Sequence, residues 1–164
     1  MLPRLQIEGP DILVISSLAK AFGAPVAVLS GSRAAIEEFK TKSETRVHCS
    51  PPAVAAIRAA EHALLVNHRC GDRLRWRLAR LVKRFRHRAA RTGFQFTGGQ
   101  FPVQTLEAAS KAETVRLHER LLHRNVRTVL HRSPHGRGLR LSFVITARHT
   151  PEAIDRAVAT LTEI

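Results

Sequence analysis

Short runs of β-branched residues alternate along this chain with amphipathic stretches of helical period. That alternation restricts the fold more than any other feature, because it selects the α/β class. Ile12-Leu13-Val14-Ile15-Ser16 is a continuous apolar run of the kind buried on both faces of a sheet. Pro25 to Leu29, Phe101 to Leu106, Val126 to His131 and Leu139 to Ile145 read as further strands. Ser32 is a suitable N-cap for a helix over Arg33 to Lys40. Pro51-Pro52 opens a second helix, rich in alanine, through Leu65. Gly71 should break or kink the pattern before a long helix from Asp72 to Thr92, with Gly93 as its C-cap. The apolar stripe of that helix is Leu74, Leu78, Leu81, Val82, Phe85 and Ala89. Ala109 to His123 reads as a helix and Pro134 to Gly138 as a loop. Thr150-Pro151-Glu152 supplies an N-cap, a proline at N1 and an acid in the first turn of a closing helix.

The 164 residues suffice for one domain or two small lobes with a real core. No apolar run is long enough to cross a bilayer, and Met1-Leu2-Pro3-Arg4 leads into no signal-peptide h-region, so no membrane role is expected. Two cysteines, Cys49 and Cys70, make no disulfide framework, and a reduced, cytoplasmic setting is expected. The formal net charge is +14, and 22 of the 27 basic residues are arginine. The surplus is spread along the chain rather than held in one tail.

Lys20 lies on a short turn directly after the first apolar run, where a rigid scaffold can present it. A lysine desolvated at such a place becomes a nucleophile toward carbonyls. Ser16 and Ser17 can offer hydroxyls to a phosphate beside it. Taken alone, a solvated turn lysine is the commoner case.

Ser17-Leu18-Ala19-Lys20-Ala21-Phe22-Gly23 resembles the cofactor-lysine motif of fold-type I pyridoxal-phosphate enzymes, the class I/II aminotransferase superfamily. The α-oxoamine synthases are the nearest group in this resemblance. Their motif is a Ser/Thr, two residues, then Lys-Ala-Phe-Gly, after a strand preceded by aspartate, and Asp11-Ile12-Leu13-Val14 fits that approach. Gly31 to Ile36 is similar to the family's Gly-x-Arg-x-x-Ile segment, and Ser50 to Ala56 to its Pro-Pro-Ala helix start. Leu139 to Ser142 and Ala147 to Glu152 resemble its Arg-Leu-Arg and Ala-Ala-His-Thr-Pro-Glu stretches.

The resemblance implies that Lys20 forms the internal aldimine with pyridoxal 5'-phosphate and later shuttles a proton. It implies that Ser17 lies near the cofactor phosphate, and that Arg140, nine residues before His149, holds the substrate carboxylate through its planar fork. The implied activity is a transferase acting on an amino acid, either an acyltransferase using an acyl-coenzyme A or an aminotransferase. The implied fold is the end of the large domain, residues 1–50, followed by connecting helices and a small α/β domain with a mainly antiparallel sheet, residues 51–164.

The resemblance covers only the later part of the family. It omits the residue that stacks on the cofactor ring and the aspartate that pairs with the pyridine nitrogen. The expectation is therefore a shortened form with weak or no activity alone, working as a homodimer or with a partner chain that supplies the earlier half. Within the motifs, the family's second arginine is Ser142 here, His48-Cys49-Ser50 stands before the Pro-Pro segment, and Ala24 to Ala27 replaces a glycine-rich stretch.

A rival reading comes from the long helix. Residues 73, 77, 80, 84, 88 and 91 are all arginine and share one face, as in a nucleic-acid-binding module. Trp76 and Phe85 are the only aromatic residues there, so base stacking is poorly supplied and a solvated face is the favoured reading. His48-Cys49 and His68-Arg69-Cys70 lack zinc-site spacing, and no metal is expected.

Overall fold

The structure is a computed structural model, and it describes residues 9–44, 49–107, 110–133 and 138–163. Among the described residues there are four helices and six strands, and the chain divides into two compact units, Met1–Gly71 and Asp72–Ile164. The division falls inside a helix.

In the first unit β1 (Val14–Ser17) pairs antiparallel with β2 (Ala27–Ser30), Val14 opposite Ser30 and Ser17 opposite Ala27. The strand read as buried on both faces is not buried. Ile15 is 72% exposed, and Leu13 and Val28 are exposed as well. The reason is that β1 pairs only with β2 among the described residues, in a sheet of two strands. Helix α1 (Arg33–Lys42) starts where the cap predicts, with Ser32 Oγ accepting from the Ala35 amide at 3.2 Å.

Helix α2 (Val54–Ala89) is one continuous helix of 36 residues. Gly71 does not break it. A helical glycine costs about 1 kcal/mol relative to alanine, which the strong helix formers on either side outweigh. The helix begins after Pro51-Pro52, and its last turns are followed by Gly93 at φ +78°, the left-handed exit expected there.

The second unit carries an antiparallel sheet in the order β3–β4–β6–β5. Its strands are β3 (Phe96–Thr97), β4 (Val103–Leu106), β5 (Val129–Arg132) and β6 (Leu139–Val144). Gln104, Leu106, Leu141 and Phe143 turn to the buried face, as period two requires. Against them pack Leu81, Val82, Phe85 and Ala89 of α2, Leu117 and Leu121 of α3 (Lys111–His123), and Ile154, Val158 and Leu161 of α4 (Pro151–Thr162). Phe85 sits 5.3 Å from Phe96 and 5.2 Å from Phe143 between ring centroids. The expected stripe on α2 is thus the core from Leu81 onward, while Leu74 remains 41% exposed.

Three departures are local. The two-residue β3 had no reading of its own. Val126 is buried outside any strand, and β5 begins at Val129. Helix α3 starts at Lys111, capped by Ser110, whose Oγ accepts from the Glu113 amide at 3.1 Å. The loop read at Pro134 to Gly138 lies outside the described residues except for Gly138. The closing helix is capped by Thr150 Oγ1, which accepts from the Ala153 amide at 3.2 Å.

Candidate active site

Lys20 stands on a turn fastened at both ends. The Leu18 amide donates to the Val26 carbonyl at 2.9 Å, and the Ala24 and Phe22 amides donate to the Leu18 carbonyl at 3.1 and 3.2 Å. Leu18 and Ala24 are buried against Ala60 of α2, with Phe22 and Val26 packed alongside. Gly23 takes φ +64°, a backbone conformation that glycine adopts without a Cβ penalty. Anchored in this way, the turn holds Ala19, Lys20 and Ala21 outward, and all three are exposed. Ser17, the last residue of β1, is exposed too. The desolvation expected of a nucleophilic lysine is therefore not provided by the residues of this unit.

Arg140 belongs to the second unit, on β6, opposite His131 of β5. It is half-buried on the sheet face turned away from the helices, and no acid pairs with it among the described residues. Beside it runs a polar row that the sequence reading did not single out. Thr105 Oγ1 and Ser142 Oγ are 2.8 Å apart, and Ser142 Oγ is 2.8 Å from His131 Nε2. His131 Nδ1 lies 3.2 Å from the Arg132 carbonyl, which can only accept. In the neutral ring the proton is therefore on Nδ1, Ser142 donates to Nε2, and Thr105 donates to Ser142. The alternation of Arg140, Ser142 and Val144 with Leu141 and Phe143 was the available signal for this face. The hydroxyl at position 142, where the family has a second arginine, is tied into this row and is 1% exposed.

The arginine face of α2 is only partly solvated. Arg84 donates from Nε and Nη2 to the two carboxylate oxygens of Asp155 on α4, and Arg88 reaches the same carboxylate at 3.2 Å. Arg77 Nη2 donates to the His149 carbonyl at 3.1 Å. The hydrogen bond from Arg84 holds the Asp155 carboxyl below its ordinary value, and Asp155 in turn raises Arg84. Glu152 is lowered by its own backbone N–H and then by the Thr150 side chain.

Among the described residues no three His, Cys, Asp or Glu side chains gather as metal ligands, and no helix is long and apolar enough to cross a membrane. Cys49 and Cys70 form no disulfide among the described residues.

Residues 4–161 match the family of class I and II aminotransferases. Over 152 residues, the chain is 33% identical to 8-amino-7-oxononanoate synthase of Thioalkalivibrio sulfidiphilus (strain HL-EbGR7), across 91% of this chain and 38% of that protein. It is 29% identical over 159 residues to the synthase of the same name from Nitrosococcus oceani (strain ATCC 19707), across 93% of this chain and 41% of that one. The chain thus spans about two-fifths of the length of these relatives, in their C-terminal part.

Among solved structures, 8-amino-7-oxononanoate synthase of Francisella tularensis has a TM-score of 0.75 at 19% identity, over 93% of this chain and 45% of that one. Serine palmitoyltransferase of Sphingomonas wittichii has a TM-score of 0.79 at 15% identity, over 92% and 39%. These likenesses establish the fold as the C-terminal part of the pyridoxal-phosphate transferase architecture. They give no support to the nucleic-acid reading of residues 73–91. By the family match over almost its whole length, the chain belongs to the class I and II aminotransferase family.

Proposed function

We propose that this chain carries the lysine-bearing and carboxylate-binding parts of a pyridoxal-phosphate-dependent transferase that acts on an amino acid. An acyltransferase of the kind named among its relatives is favoured over an aminotransferase, because 8-amino-7-oxononanoate synthases recur among them. The observation that carries the reading is the anchored turn from Ser17 to Ala24, which presents one primary amine on a fixed backbone.

The donor set suits pyridoxal phosphate. Lys20 Nζ is an amine that can attach to an aldehyde, and Ser17 Oγ, three residues earlier, is a hydroxyl that can donate to a phosphate. When bound, that group supplies an electron sink for charge developing at the substrate α-carbon. With that group bound, Lys20 Nζ would be the base that takes the substrate α-proton and returns it. Arg140 holds the substrate carboxylate through two parallel N–H donors and so fixes which α-bond is presented. On this reading residues 1–50 belong to the cofactor-binding part and residues 51–164 to the connecting helices and the small domain. An acyl-coenzyme A is the second substrate of the acyltransferase form.

A spectral titration tests this. Pyridoxal phosphate added to the full chain should give the absorbance change of a lysine adduct, absent in Lys20→Ala. Subsequent addition of amino acids should perturb that band. Arg140→Ala should weaken the amino-acid response about tenfold or more, the scale of a lost charge-assisted pair, with cofactor uptake unchanged. An equal band in Lys20→Ala overturns the reading.

A further inference from the structure

Arg73, Trp76, Arg77, Arg80 and Arg84 follow one another on α2 at spacings of three and four, or one, and crowd one side of the helix in the second unit. With Pro151 at the start of α4 they line an open groove of about 760 Å3, the size of a small-ligand cleft. The basic side chains are not equivalent. Arg84 is committed to the Asp155 carboxylate. Arg77 gives one N–H to the His149 carbonyl, which orients its guanidinium without neutralising it. Arg80 has its Cζ 5.7 Å from the ring centroid of Trp76 and no acidic partner among the described residues.

The one acid in the lining, Asp72, bonds to Arg75 at 2.9 Å with its carboxylate fully in solvent, so it does not cancel Arg77 and Arg80. A merely solvated helix face accounts for the arginines. It does not account for an indole left 69% exposed beside an oriented guanidinium pair. An exposed indole presents a π-face on which a base can stack, and a guanidinium fork matches the oxygens of a phosphate.

We propose that this groove binds a nucleoside polyphosphate, with the base against Trp76 and the phosphates on Arg77 and Arg80. The groove belongs to the second unit, and the proposal does not depend on the transferase reading.

Trp76 is the only tryptophan of the chain, so its fluorescence reports on the groove directly. The full chain is titrated with ATP, with inorganic triphosphate and with adenosine, at low and at physiological ionic strength. The expected result is saturable quenching by ATP, with inorganic triphosphate and adenosine each binding more weakly. Arg77→Gln and Arg80→Gln should each raise the ATP Kd about tenfold, as expected for one lost charge-assisted contact. Arg132→Gln, on β5 and outside the groove, should leave it unchanged. Absence of saturable quenching at physiological ionic strength overturns the proposal. So does inorganic triphosphate binding as tightly as ATP. Equal weakening in all three variants overturns it as well, because diffuse attraction to a chain of charge +14 would then explain the binding.

Discussion

The Ala24 amide donates to the Leu18 carbonyl at 3.1 Å, and together with the Phe22 amide on the same carbonyl and the Leu18 amide on Val26 it closes the turn that carries Lys20. Both residues are buried, so their packing fixes the ends of the turn while its middle stays in solvent. The motif around Lys20 is thus a structural device. The apolar residues set the backbone, and the lysine is what that backbone displays.

Gly23→Ala tests the device. Nothing lies within 4 Å of the position a Cβ would take, so space is not the obstacle, but φ +64° is. The substitution should cost about 1 kcal/mol and reduce cofactor attachment at Lys20. Thermal unfolding read alongside lysine labelling checks this. Unchanged labelling would show that the turn does not set the lysine's position.

Asp155 gives the second unit a predictable acid response. Arg84 lowers its folded pKa below the ordinary 3.8. A carboxylate depressed by folding adds stability at pH values above its unfolded pKa. That contribution is lost as pH falls through the folded value. Stability should therefore decline below about pH 4, and Asp155→Asn should remove part of that decline while lowering stability at neutral pH. Chemical denaturation of both proteins at several pH values gives the comparison. Identical pH profiles would contradict the assignment.

Phe85 is 1% exposed and touches the rings of both Phe96 and Phe143, and so it joins α2 to two strands. Phe85→Ala should cost about 3 to 5 kcal/mol, because a cavity is left where three elements meet. Urea unfolding measures the loss. A cost near that of a surface substitution would mean the core is not organised around this ring.

The row beside Arg140 makes a finer prediction. Ser142→Ala leaves His131 Nε2 without its donor and Thr105 without its acceptor. The loss should be about 1 to 3 kcal/mol. Arg140 should lose affinity for a carboxylate only through the altered β5–β6 seam, so a shift in amino-acid KM with little change in kcat is expected.

Much of this was legible in the residues, for reasons that differ by element. Ser32 and Thr150 announce their helices because a side-chain oxygen there satisfies an otherwise orphaned amide. The antiparallel sheet and its helical cover were implied by the family resemblance, and the alternation of Leu139, Leu141 and Phe143 with Arg140 and Ser142 in β6 agrees with it. The helix expected to break at Gly71 runs through it, since local propensity is a weak force inside a long helix. The burial of β1 was misread because a β-branched run records what a strand is suited to pack against. It does not record which strands lie beside it here. The polar row of Thr105, Ser142 and His131 depends on strand register across 37 residues of sequence, which no local pattern encodes. The position of Trp76 beside Arg80 was equally hidden, because period alone does not tell an exposed indole from a buried one.

The central claim is that Lys20 is the residue at which pyridoxal phosphate attaches. Incubation of the full chain with the cofactor, reduction with borohydride and peptide mapping by mass spectrometry tests it directly, with Lys20→Ala as control. The account predicts a pyridoxyl label on Lys20 and none on Lys40, Lys42, Lys83 or Lys111. Label spread over all five lysines, or label retained in Lys20→Ala, would contradict it.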